Sequence, residues 1–112
     1  MNIFQSAQNL IQKVANILQS NFRASDIIAR YGGEEFCIIA VNLKKNNSLQ
    51  VFDKIKNLIS TQKINTKECD VNITISIGVT NTLLENLQAT INKADTLLYQ
   101  AKNQGRNCIV LD

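Results

Sequence analysis

The chain has 112 residues, 45% of them hydrophobic and 19% charged, the composition of one small folded domain and not of a disordered tail. Twelve Lys and Arg against nine Asp and Glu leave a net charge of +3, too mild to point to nucleic acid or an anionic membrane surface as a partner. The chain contains no histidine, which excludes His-ligated zinc, Ser-His triads and His general bases together.

The first segment is amphipathic. Phe4, Ala7, Leu10, Ile11, Val14, Ile17 and Leu18 recur at intervals of three and four, with Gln, Asn and Lys on the other face, which predicts a helix. Asp26–Tyr31 then reads as a strand from its β-branched content, and Phe36–Val41 as a second. Gly32-Gly33 between them predicts a tight hairpin turn.

Asn42–Ser48 is polar and turn-like. Leu49, Phe52, Ile55, Leu58 and Ile59 mark a second helix ending near Ser60. Val71–Ile77 alternates with period two and predicts the clearest strand, closed by Gly78 and continued briefly by Val79-Thr80. A third helix carries Leu84, Leu87, Ile91, Ala94, Leu97, Leu98 and Ala101, with Gly105 as its stop, and Cys108–Leu111 forms a last strand.

The order α-β-β-α-β-α-β predicts an α+β fold: a mostly antiparallel sheet flanked by helices. No proline, low-complexity tract or repeat breaks the chain, so residues 1–112 are expected to form a single domain. No apolar run approaches the roughly 20 residues of a membrane span, and no signal-peptide pattern opens the chain. Cys37, Cys69 and Cys108 are odd in number and lack CxxC spacing, which argues against disulfides and thiolate metal sites. They are expected to be small buried hydrophobes in a cytoplasmic protein.

Gly32-Gly33-Glu34-Glu35-Phe36 is where adjacent acids meet a glycine turn. Glycine admits positive φ and close approach of a ligand, and successive strand carboxylates point to opposite sides. A hard divalent cation takes such an oxygen and keeps phosphate oxygens as other ligands. A solvated acidic hairpin has the same composition, so the pentapeptide alone leaves both readings open.

The surrounding residues point further. Arg30-Tyr31-Gly32-Gly33-Glu34-Glu35-Phe36 resembles the signature of the GGDEF family of diguanylate cyclases, in its Glu variant. Three further stretches are similar to family motifs in the expected order: Arg23-Ala24-Ser25-Asp26 to RxxD, Ser76-Ile77-Gly78-Val79 to SIGV, and Ala94-Asp95 through Leu98-Tyr99, Ala101-Lys102 and Gly105-Arg106-Asn107 to the last helix and its exit.

The resemblance implies a nucleotidyl-cyclase or palm-like fold, of which this chain matches about the last two-thirds of a domain of usual size. It also implies GTP as substrate, cyclic di-GMP as product and inhibitor, Mg²⁺ or Mn²⁺ as cofactor, a homodimer for catalysis, and no nucleic-acid partner. Glu34 would be the metal ligand and proton acceptor, with Glu35 in support, and Gly32 and Gly33 would let the nucleotide lie against the backbone. Lys102 and Arg106 would contact the terminal phosphates; Arg23 and Asp26 would form the inhibitory product site. Asp95 and Tyr99 are read as structural, one hydrogen-bonding and one packing, and Arg30 and Tyr31 as bracing the turn.

The family's first strand with its metal-binding Asp, and a base-recognising Asn, have no counterpart in this sequence. Where the family has a second base-reading Asp, alignment on Val14-Ala15 places Gln8. Two outcomes are therefore expected: a cyclase of weak or absent activity as this chain, or a degenerate module that binds cyclic di-GMP through the RxxD residues.

Overall fold

The computed structural model describes residues 3–65 and 70–112, with side chains from residue 8 onward. The apolar positions Phe4 and Ala7, and Cys69, lie outside the described side chains. The elements run α1 (Ile3–Asn21), β1 (Ile27–Gly32), β2 (Glu35–Ile39), α2 (Lys45–Thr61), β3 (Ile64–Asn65), β4 (Asp70–Val71), β5 (Ile77–Val79), α3 (Leu87–Asn103) and β6 (Ile109–Leu111). Strands pair as β1-β2 and β3-β4, both antiparallel, and β5-β6, parallel. Helices with mainly antiparallel strand pairs make this the expected α+β fold.

The chain divides into two compact units. One comprises the described residues of Met1–Asn42 and Thr61–Ile73, the other Leu43–Ser60 and Thr74–Asp112. In the first, α1 buries Val14 and Leu18, four residues apart on one face, and Ile64 of β3 is buried too. The hairpin runs in register from Ile27 opposite Ile39 to Arg30 opposite Phe36. It then slips, so that Gly32 faces Glu35 and Tyr31 is the extra residue of a β-bulge.

In the second unit, α3 packs on β5 and β6. Leu97 and Ala101, four apart, are its buried residues, and Val79 is buried on β5. Gly78 is where this packing is tightest: a Cβ there would lie 2.3 Å from the backbone N of Leu98 and 2.4 Å from the Ala94 carbonyl. Only glycine lets the strand and the helix backbone approach so closely. Helix α2 buries Ser48, Phe52, Ile55 and Ile59, spaced four, three and four along one stripe.

Several expectations shift. Helix α2 begins at Lys45, inside the segment read as a turn; Ser48 is its first buried position, and the hydroxyl donates to the Lys45 carbonyl at 2.9 Å. Helix α3 begins at Leu87 and not at Leu84. The Asn86 side chain caps it by accepting from the Ala89 N–H at 2.8 Å, and the Leu84 N–H is held by the Thr90 hydroxyl. The strand expected over 71–77 is paired only at its ends, Val71 with Ile64 and Ile77 with Ile109. Burial still alternates through 71–75, because periodicity records a half-buried extended chain, whereas a strand also needs a partner's ladder.

Gly105 does end α3, at φ 109°, with the Arg106 N–H returning to the Ala101 carbonyl at 3.1 Å in a Schellman closure. Cys37 and Cys108 are free and half-buried, not fully buried as expected, and partial burial pushes the Cys37 thiol pKa up. Tyr99, expected to pack, is 66% exposed. It lies two residues, about 200° around the helix, from buried Leu97 and so faces outward.

Candidate functional site: the acidic hairpin

The turn between β1 and β2 consists of Gly33 and Glu34, and its geometry corrects one expectation. Neither glycine has positive φ, so the turn does not need them for their conformational freedom. Nor does packing require them: a Cβ at Gly32 or Gly33 would meet no described atom within 4 Å. The two glycines instead leave bare backbone beside Glu34, which stands exposed at the tip. Glu35 follows, half-buried, in the first pair of β2, opposite Gly32.

Arg30 holds this turn. Its Nε and Nη2 donate to the Gly33 carbonyl at 2.8 and 2.5 Å, a two-pronged grip that fixes the peptide plane next to Glu34. Its Nη1 donates to Gln8 Oε1 on α1 at 3.3 Å, which ties the hairpin to the helix. Bracing by Arg30 was legible from its place before the glycines; its reach to Gln8, 22 residues away, was not.

At the other end of the hairpin, Asp26 is nearly buried, its side chain 3% exposed. One carboxylate oxygen accepts the Arg23 N–H at 2.9 Å and the other accepts the Val41 N–H at 2.8 Å. These bonds, with the adjacent Arg23 guanidinium at 3.5 Å, hold its pKa below the usual carboxylate range. The Arg23 guanidinium also donates to the Val41 carbonyl, yet its side chain remains 59% exposed. The pair is therefore more than a surface ion pair: Asp26 closes the strand ends of the hairpin, and Arg23 keeps an open face.

In the second unit, Lys102 lies in the last turn of α3 and Arg106 follows it, exposed, at φ 64°. Asn107 also takes positive φ, at 47°, so two non-glycine residues sit in left-handed backbone directly after the helix. Such conformations cost energy and are maintained by what the segment must present or join. Beyond this segment, Asp112 accepts from the Thr80 hydroxyl at 2.7 Å and from the Asn81 N–H at 3.0 Å. Those bonds keep its pKa low.

Among the described residues no three acids or cysteines come together to hold a metal ion. No described helix is long and apolar enough to cross a membrane.

An α+β chain presenting an acidic, glycine-flanked hairpin tip is the class these features define. The family model described as "Diguanylate cyclase, GGDEF domain" matches residues 4–108, and the chain belongs to that family. It is 36% identical over 104 residues to diguanylate cyclase A of Treponema denticola, covering 91% of this chain and 28% of that protein. It is also 36% identical over 105 residues to the response regulator PleD of Caulobacter vibrioides, covering 90% and 23%. The chain thus spans about a quarter of the length of these curated relatives.

Among solved structures, it is similar to the GGDEF domain of DgcB from Caulobacter crescentus in complex with c-di-GMP. The TM-score is 0.87 at 26% identity, covering 96% of this chain and 65% of that one. Similarity to the GGDEF domain of PA1120 from Pseudomonas aeruginosa gives a TM-score of 0.86 at 25% identity, covering 97% and 70%.

Proposed function

We propose that this chain binds GTP at the Glu34 hairpin and carries the residues for diguanylate cyclase chemistry, with weak or no turnover as the 112-residue chain alone. The observation that carries the reading is the bare Gly32-Gly33 backbone: neither its conformation nor packing among the described residues calls for glycine there, whereas a nucleotide laid against the strand does. The family membership and the exposed carboxylate beside that backbone support the same conclusion.

In this reading Glu34 holds a divalent ion, Mg²⁺ or Mn²⁺, together with the phosphates, and Glu35 supports the turn. When bound, the ion neutralises phosphate charge and makes the attacking hydroxyl more acidic. Lys102 and Arg106 engage the terminal phosphates as charge-assisted donors. Two copies face each other as a homodimer. The 3′-hydroxyl of one GTP attacks the α-phosphate of the other, its proton passes to Glu34, and pyrophosphate leaves; a second round closes cyclic di-GMP.

The test is cyclic di-GMP formation from GTP with Mg²⁺, followed by chromatography, alongside calorimetric GTP binding to wild type and Glu34→Ala. The expected result is GTP binding lost in Glu34→Ala, with little or no product. Absence of GTP binding refutes the nucleotide reading, and robust turnover refutes the activity deficit.

One observation favours a second reading, a module that binds cyclic di-GMP. Arg23 keeps an open guanidinium face next to an anchored carboxylate, a rigid planar donor suited to phosphate or a guanine edge. Because both Asp26 oxygens already accept backbone N–H groups, Arg23 carries the contact in that reading and Asp26 positions it. Micromolar binding abolished by Arg23→Ala is the expected result, and no binding ends the reading.

A further inference from the structure

A cavity of about 330 Å³ lies in the first unit, between α1 and the stretch that leads into β3. Lys13, Asn16, Gln62, Lys63, Ile64 and Asn65 are among the residues that line it. Lys13 stands five residues, about 140° around the helix, from Gln8, so the cavity opens on a different face of α1 from the one tied to Arg30. Its volume is at the lower end of the range for small-ligand pockets.

The lining is cationic out of proportion to the chain. It holds two lysines and, among the described residues, no acid, in a molecule whose net charge is only +3. Asp70, opposite Asn65 in the β3-β4 pair, is not part of it. Neither Lys13 nor Lys63 makes an ion pair with a described residue. Two ammonium groups on one concave surface, without a counter-charge, attract an anion.

The hydrogen bonds around the cavity engage acceptors and leave donors. Lys13 Nζ donates to the Asn65 carbonyl at 2.9 Å, which ties α1 to β3 and leaves two of the three ammonium N–H groups. The Asn16 side-chain oxygen accepts from Gln12 Nε2 at 3.1 Å, so its amide N–H groups are what it offers a ligand. The Gln62 carbonyl accepts from Asn72 Nδ2 at 3.2 Å. With Ile64 paired to Val71, these bonds hold the 62–65 stretch in place before any ligand arrives, which lowers the ordering cost of binding.

We propose that this cavity binds a compact oxyanion of the diphosphate class, with Lys13 and Lys63 as its charge partners and the Asn16 amide as a further donor. Ammonium groups bind phosphate as point charges, and two of them, one on α1 and one ahead of β3, match two phosphoryl groups. No aromatic ring lines the cavity for a base to stack on, which favours a free diphosphate over a nucleotide. The site shares no residue with the Glu34 hairpin, Lys102 or Arg106, so it stands apart from the nucleotide reading.

The experiment is calorimetric titration of inorganic pyrophosphate into the full 112-residue chain and its variants, without metal and at low ionic strength, where charge attraction is least screened. The expected result is one pyrophosphate per chain. Its affinity should fall at least about tenfold in Lys13→Gln and in Lys63→Gln, and less than about twofold in Lys44→Gln, an exposed lysine outside the cavity. Lys63→Gln breaks no bond to a described residue, so its circular dichroism should match wild type and its result holds even where Lys13→Gln loosens α1 from β3. No binding overturns the proposal, as does an equal loss in Lys44→Gln, the mark of attraction by net charge alone. Loss in Arg106→Gln with both cavity variants unchanged also overturns it, by placing the anion at the phosphate contacts of the nucleotide reading and leaving that reading intact.

Discussion

Two glycine-to-alanine substitutions should have opposite effects. At Gly78 the added methyl carbon would sit 2.3 Å from Leu98 N, 2.4 Å from Ala94 O and 2.8 Å from Leu97 C. All three are helix backbone atoms, and the first is about 1 Å inside the 3.4 Å at which ordinary contact begins. No side chain can swing away, so β5 and α3 must separate. Overpacking a core typically costs about 1–3 kcal/mol, and a backbone-on-backbone clash belongs at or above the top of that range.

Gly33→Ala adds the same carbon where no described atom lies within 4 Å and φ is not positive. Its stability should stay within about 0.5 kcal/mol of wild type, or rise slightly as the unfolded chain loses freedom. Urea denaturation followed by circular dichroism measures both. For Gly78→Ala the midpoint should fall with unchanged slope, and the melting temperature should drop by about 12 °C at ~3 kcal/mol lost. Nucleotide binding should survive in Gly78→Ala at temperatures where it remains folded and be lost in Gly33→Ala. Equal stability of Gly78→Ala and wild type would refute the strand-on-helix contact, and undiminished binding by Gly33→Ala would refute the reason given for that glycine.

Three further outcomes are expected. Asp26 is held below its ordinary pKa of 3.8, so its stabilisation is complete above that value and fades as pH falls through the lower, folded one. Acid titration of unfolding should therefore show a shallower acid limb in Asp26→Asn than in wild type, with Asp112 supplying what remains. Asn86→Ala removes the cap on the Ala89 N–H and should cost about 1 kcal/mol, read as a lower urea midpoint. Arg106→Gly relieves a left-handed residue and should gain about 1 kcal/mol of stability while weakening GTP binding roughly tenfold, so that stability and binding move in opposite directions.

Local order in this molecule was legible because it rests on neighbours in sequence. The three helices follow from apolar spacing, and the hairpin from two β-branched runs around Gly32-Gly33. The start of α3 at Asn86 was also written in the chain, as a cap residue ahead of the periodic stretch, although the apolar pattern alone placed it earlier. The bulge at Tyr31 was not legible, since register depends on both strands together. The β3-β4 pair was missed because two-residue strands are too short for any period to register.

The candidate site divides in the same way. The identities of Glu34, Gly32 and Gly33, and the exclusion of histidine chemistry, belong to the sequence itself, because residue type and spacing decide which chemistry is available. What the tertiary structure alone decided is how those groups are held. Asp26 is spent on the N–H groups of Arg23 and Val41, and Arg30 spans from Gly33 to Gln8. Those bonds join residues up to 22 positions apart: closure of the hairpin brings Val41 to Asp26, and the packing of α1 against it brings Gln8 to Arg30. No local pattern encodes that distance.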